Sequence, residues 1–499
     1  MKGKIFNSVS MKAPRRNVFD LSHEKKLSTK FGQLTPIYLE EVVPGDKFRV
    51  KTEHMIRLAP MLAPVMHRVN VYIHYFYVPM RIIWDGYENF FTGGKDGKTF
   101  PAMPVLTVGE GQKLDFAKGS LADYLGIPPP QSGTITDPAI INALPFRAYT
   151  QIYNDYYRDQ NLTSEVPFSK GDVVDNLNIV ALRKRAYERD YFTSALPDTQ
   201  RGDDVLIPTE IKYSPIVTGA VTVGQNVIVG TDGPNKVLKE GTNDLQVENI
   251  ESIGSTINDL RTSVRLQEFL ERSMRGGARY VEHVLSFFGV KPNDSRMMRA
   301  EFLGGGKAPI VISEVLATFN NEDTDGATMY GHGMSASNSA GFKSFFPENG
   351  YVLGILSVIP RTTYQQGVEK IWLRRDRFDF FYPQFAHLGE EAILSKEIYH
   401  DYLGTAQDND AVFGYTPRYS SYKYKPSTVH GDFRDALDFW HMGRKFVNRP
   451  LLVQAFIEAN SSTMTRIFPD TTDNDKLYIQ LYNDVKAIRP MPIFGTPKL

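Results

Sequence analysis

"KFRVKTEHMIRL", residues 47–58, decides the fold. Phe48, Val50, Thr52, Ile56 and Leu58 alternate with Lys47, Arg49, Lys51, Glu53 and Arg57. A period of two sends successive side chains to opposite faces, so this is a strand with one buried and one charged face. The next run, "RVNVYIHYFYV" (68–78), sets Val69, Val71, Ile73, Tyr75 and Tyr77 on one side. Pro60 and Pro64 lie between the two and stop either from running on, since proline donates no ladder hydrogen bond.

Further along, "GYVLGILSVIP" (350–360) is continuously apolar and belongs in the middle of a sheet. "RPLLVQAFIEA" (449–459) and "KLYIQLYNDV" (476–485) read as further strands. Between these ends the period changes. "IIWDGYENFF" (82–91) and "RAYTQIYNDYYRD" (147–159) are helical. The second carries Tyr149, Ile152, Tyr153 and Tyr156 as one stripe, expected in a core rather than as a base-stacking platform. Two more helices follow at 260–274 and 278–289. In the latter Val281, Val284, Leu285 and Phe288 share a face and Gly289 ends it. Residues 209–258, rich in Val, Thr, Gly and Asn, suggest small hairpins outside the main body. Residues 320–341 read as a long surface loop, and 486–499 as an extended, proline-stiffened tail on a neighbouring surface.

Strands at both ends with helices and hairpins between them predict a mainly β chain. The expected architecture is an eight-stranded antiparallel jelly roll, a β-sandwich with long helical and loop insertions. Residues 31–499 would form this one domain, preceded by a basic arm at 1–30. The arm stands out because the chain is neutral, with 57 basic and 57 acidic residues. Its first thirty residues hold eight basic groups against two acidic, so they carry +6 and the remainder −6. Lys2, Lys4, Lys12, Arg15, Arg16, Lys25 and Lys26 are the candidate nucleic-acid contacts, with a short helix expected at "DLSH" capped by Asp20 or Ser22.

Chemistry is harder to find. There is no cysteine, which removes disulfides and thiolate catalysis. "GGGKA" (304–308) lacks the spacing of a phosphate loop and reads as a glycine-rich turn. "NEDTDGATMYGH" echoes a calcium loop through Asn321, Asp323, Asp325 and Gly326, but position twelve is His332. His67 and His74 read as satisfied sheet histidines, and Glu390, Glu391, Asp376 and Asp379 as ordinary surface charge. No catalytic residue, metal site or cofactor is expected, nor a signal peptide, nor any run long enough to insert into a membrane.

Several long stretches resemble one family. They include "FRVKTEHMIRLAPMLAPVMHRVNVYIHYFYVP", "LPFRAYTQIYNDYYRDQNL", "RDYFTSALP", "LQEFLERSMRGGARYVEHVLSFFGV", "EFLGGGKAPI", "YVLGILSVIPRTTYQQG" and "RPMPIFGTP". These resemble the major capsid proteins of Microviridae, the small single-stranded DNA bacteriophages, in their gokushovirus-like branch. The resemblance implies a homo-oligomeric T=1 icosahedral shell around a circular single-stranded DNA genome, found in the virion and assembled in the host cytoplasm. It implies an internal scaffolding protein, a DNA pilot protein and a small basic DNA-binding peptide as partners, and a host surface receptor. It also implies a threefold protrusion at 209–258, where Val223, Gln225, Asn226, Asp232, Asn235 and Lys236 are the expected host contacts. Two other readings compete: a carbohydrate-binding or carbohydrate-cleaving sandwich, and a host-attachment spike.

Overall fold

The computed structural model describes residues 15–172, 177–203, 205, 210–211, 252–253, 257–277, 279–316 and 329–494. Nine strands build its main sheet: β1 (Asn17–Asp20), β2 (His23–Thr29), β3 (Thr35–Val42), β4 (Lys47–Leu58), β5 (Val69–Pro79), β6 (Glu301–Leu316), β7 (Met329–Phe345), β8 (Gly350–Pro360) and β9 (Leu477–Arg489). Their order is β1-β9-β4-β7-β6-β5-β8-β3, with β2 also paired to β9. Counted as one broken strand, β1 and β2 complete an eight-stranded jelly roll. One half is β1/β2-β9-β4-β7 and the other β6-β5-β8-β3, and every pairing is antiparallel.

Strand β6 joins the halves. Its residues 301–310 pair with β5, and Val311–Leu316 pair with β7. Beyond that hinge the halves face each other across one apolar core. The Tyr75 ring lies 5.2 Å from Phe342, and Tyr77 lies 4.8 Å from Phe346. The Tyr75 hydroxyl meets Thr52 Oγ1, which donates to Asn483 Oδ1 at 2.6 Å, so this buried polar chain is satisfied internally.

A second core covers the outer face of β5, β8 and β3. Phe76, Val78, Leu353 and Ile355 pack with Trp84, Phe116 and Phe146, Tyr149 and Ile152 of α1 (Leu144–Ile152). This explains why β8 shows no alternation: both of its faces are buried. The Tyr149 stripe is core, as expected. A third cluster packs Phe192, from the insertion between β5 and β6, with Ile393, Phe413 and Phe456 of the long insertion between β8 and β9.

The chain divides into two compact units, Met1–Thr199 with Gly277–Leu499, and Gln200–Gly276. The second encloses the 209–258 excursion. Among its described residues are a two-residue antiparallel pair, Glu210–Ile211 with Ser252–Ile253, and α2 (Ile257–Gly276).

Several expectations need correction. Residues 17–29 are no free arm, because β1 and β2 pair with β9. No helix starts at "DLSH": Asp20 Oδ1 accepts from Ser22 N at 3.0 Å and turns the chain between two strands. The loop expected at 320–341 is strand β7 from Met329 onward. Its small residues are there for close approach, since a Cβ on Gly331 would collide with the Ala63 carbonyl and one on Gly333 with Leu58. Gly304–Ala308 is no turn but part of β6, with a register shift between Phe302 and Gly304. Residues 449–459 form no strand; they hold a short helix at Gln454–Ile457. Residues 486–489 belong to β9, so the tail begins at Pro490.

Candidate functional site

The first half of the jelly roll has one bare face. In β4 the pattern is strictly alternate, with Phe48, Val50, Ile56 and Leu58 buried and Lys47, Arg49, Glu53 and Arg57 exposed. Strand β9 repeats it, exposing Tyr478, Gln480, Tyr482 and Lys486. Strand β7 adds Met334, Lys343 and Phe345. The charged face read in 47–58 is therefore one stripe of a wider surface. The contributions of β7 and β9 could not be seen until the register was known.

The candidate nucleic-acid contacts fall in three places. Lys2, Lys4 and Lys12 lie outside the described residues. Arg15 and Arg16 are exposed, and the Arg16 guanidinium sits over the Phe345 ring at 5.8 Å. Lys25 and Lys26, adjacent in sequence, part company on β2. Lys26 is exposed, with its ammonium 3.8 Å from Glu24. Lys25 turns inward, and its Nζ donates to the carbonyl oxygens of Tyr124 at 2.5 Å and Pro36 at 3.2 Å. Burial lowers its pKa to about 8, only partly offset by the charge of Asp123. The six expected host contacts, Val223, Gln225, Asn226, Asp232, Asn235 and Lys236, lie outside the described residues.

Of the carboxylates considered for catalysis, Glu390 and Glu391 are not surface charge: they are half-buried in the strand Glu390–Leu394, and burial raises the pKa of Glu391. Asp376 accepts from Arg377 N, and Asp379 from the amides of Arg375 and Asp376, so the pair caps a tight turn. A cleft of about 590 Å³ opens beside Trp372, Tyr402, Tyr422 and Tyr424. Its buried carboxylate, Glu397, accepts from Tyr191 at 3.0 Å, Lys370 at 3.1 Å and Leu394 N at 3.0 Å. Those bonds hold the cleft wall together. His67 pairs with the Arg361 carbonyl at 2.6 Å and His74 with the Tyr157 hydroxyl at 2.9 Å. Burial lowers both to about 4, so they stay neutral. No group of three or more His, Asp or Glu among the described residues could hold a metal ion. Asn321, Asp323, Asp325 and Gly326 lie outside the described residues, and His332 is in β7. No helix of the described residues is long and apolar enough to cross a membrane.

Large apolar side chains also face outward. Helix α3 (Tyr280–Phe288) buries only Val281; Leu285 and Phe288 of its expected core face are exposed. Trp372 is 76% exposed and Leu403 is 99% exposed. Beyond β9 the chain is pinned by Asn17 Nδ2 donating to the Met491 carbonyl at 2.6 Å, and then Ile493 and Phe494 stand in the open. Apolar surface on this scale marks sites of association.

Comparison with known proteins agrees with these surfaces. Residues 8–499 match the profile of the family described as capsid protein (F protein). The chain is 36% identical to capsid protein VP1 of Bdellovibrio phage phiMH2K, over 97% of this chain and 95% of that one. It is 32% identical to capsid protein VP1 of Chlamydia phage 1, over 99% and 97% of the two chains. Capsid protein VP1 of Spiroplasma virus 4 is 28% identical, over 97% and 95%.

Proposed function

We propose, from the premise that this chain belongs to the capsid protein (F protein) family, that its copies close into a T=1 icosahedral shell around a circular single-stranded DNA genome. Membership makes the protein a structural component of the virion that assembles with itself; the symmetry and the contents of the shell are our reading. The observation that carries it is the jelly roll itself, covered on one half and bare on the other, with large apolar side chains exposed on the insertions. Such a subunit has surfaces to complete rather than a substrate to turn over.

The basic amino-terminal segment meets the genome through phosphate contacts, which position a strand without reading its bases. An internal scaffolding protein, a DNA pilot protein and a small basic DNA-binding peptide complete the assembly. The 209–258 excursion forms the threefold protrusion that meets the host receptor. Co-expression with the scaffolding protein, followed by sedimentation and negative-stain imaging, tests the reading. Closed uniform shells are expected. A compact monomer or trimer under every condition would return the protein to the carbohydrate-binding or spike reading.

A further inference from the structure

The register of the sheet places three cations in one row. Lys486 of β9 is the partner of Arg49 of β4, and Arg49 is the partner of Lys343 of β7. All three are exposed on the bare face. Neighbouring strands lie about 4.8 Å apart, and like charges directly opposite one another destabilise a pair. One step along, Lys47 stands opposite Phe345, and on the far side Arg57 stands between Tyr478 and Met334.

Carboxylates offset one end of this row and not the rest. Lys486 has Asp20 beside it and Asp484 at 4.0 Å, and Lys51 has Glu53 at 3.9 Å. Lys47, Arg49, Arg57 and Lys343 make no ion pair among the described residues. Arg16 extends the surface, because its guanidinium and the Lys47 ammonium share the Phe345 ring at 5.8 and 5.9 Å. Tyr478, opposite Arg57, leaves an aromatic ring exposed on the same face, whereas the exposed Tyr482 stands between Glu24 and Glu53. Lys486 is answered by Asp20, but Arg49 and Lys343 have no carboxylate partner among the described residues, so the row points to a further partner of opposite charge. Cations flanked by free aromatic rings are the combination that holds single-stranded nucleic acid: phosphates on the charges, bases on the rings.

We propose that this bare β9–β4–β7 face is the nucleic-acid-binding surface of the subunit, with phosphates along Lys47 and the Lys486–Arg49–Lys343 row and bases against Tyr478. The proposal rests on the reading of the chain as a shell around single-stranded DNA. It also orients the subunit, with the bare face inward and the covered β5–β8 half away from the genome.

The test is binding of a thirty-nucleotide fluorescein-labelled oligo-dT to the full chain between about 50 and 400 mM NaCl. In the triple variant Lys47→Ser, Arg49→Ser, Lys343→Ser, the plot of log affinity against log salt becomes shallower by about 2, at roughly 0.7 for each phosphate no longer neutralised. The melting temperature stays level or rises, because the like-charge row is gone. Arg49→Lys keeps the slope, and so does Lys95→Ser with Lys98→Ser, two exposed cations on another loop. A folded triple variant with the parental slope overturns the proposal while leaving the encapsidation reading intact. So does a triple variant that keeps the slope but loses binding to poly-glutamate, since the face would then serve an acidic protein. A parent chain that binds oligo-dT at no salt concentration takes down both readings.

Discussion

Lys25 Nζ donates to the backbone carbonyl oxygen of Tyr124 at 2.5 Å, which ties β2 to the short helix Leu121–Leu125 from the insertion between β5 and β6. This ammonium is spent inside the protein and has no phosphate to meet. Burial moves it from an ordinary 10.5 to about 8. Between those two values the unfolded chain binds more protons than the folded one, so stability rises with pH across that window and is flat below it. For a shift of this size the rise is about 3 kcal/mol. Denaturant titrations at pH 7.5, 9 and 10.5 should show that increment in the parent and its absence in Lys25→Met.

The same geometry sorts the basic residues by salt dependence. Lys25→Ser leaves the salt slope of oligo-dT binding unchanged, whereas Lys12, Arg15, Arg16 and Lys26 replaced together by Ser make it shallower by about 3. Equal effects from the two variants would mean that Lys25 leaves its carbonyl partners in solution.

Val71 is 1% exposed in β5, inside the core between the sheet halves. Val71→Asp puts a carboxyl group there with no partner, and even an uncharged polar group left unpaired costs roughly 2–7 kcal/mol. Soluble expression should collapse. Unchanged melting temperature and shell yield would contradict the burial of this face.

Gly331 sets the approach of β7 to the segment after β4. Gly331→Val forces a side chain onto the Ala63 carbonyl and should destabilise by about 1–3 kcal/mol, the range for overpacking. Ala336→Val, on the same strand but exposed, should leave the melting temperature within one or two degrees of the parent. A thermal melt of the two variants side by side decides it.

Removing Pro490 to Leu499 takes away Ile493 and Phe494, exposed at the end of the described chain, but leaves β9 whole. The subunit should melt as before and assemble poorly. Normal shells from the truncated chain would show that the tail docks on nothing.

Some of the sandwich strands were legible, whereas β3, buried along most of its length, was not read as a strand. Alternation marks β4, and the unbroken apolar run marks β8. Strand β7 was hidden because close approach selects Gly, Ala and Ser, the residues that also mark loops. Strands β1 and β2 are short and half-exposed, so neither shows a convincing period. Segment 449–459 misled in the opposite sense, since Leu451 and Val453 are exposed and its apolar residues serve no sheet. The surfaces were less legible than the fold. Lys25 and Lys26 look equivalent in sequence, but the period of two sends one inward and one outward. The opposition of Lys486, Arg49 and Lys343 belongs to register alone, because these residues lie more than a hundred positions apart in the sequence.

The placement of β9 has a consequence for synthesis. It pairs with β1 and β2 on one side and β4 on the other, so Asn17 faces Arg489 across the ladder. The middle strand of that half is therefore translated after every strand it joins. A nascent chain stopped anywhere short of residue 477 leaves β4 with an open edge and the amino-terminal strands without a template. Contacts this distant in sequence form late and slowly. Interrupted translation products thus lack the finished sheet, and the fold itself screens them from the pool of subunits that can be built into a particle.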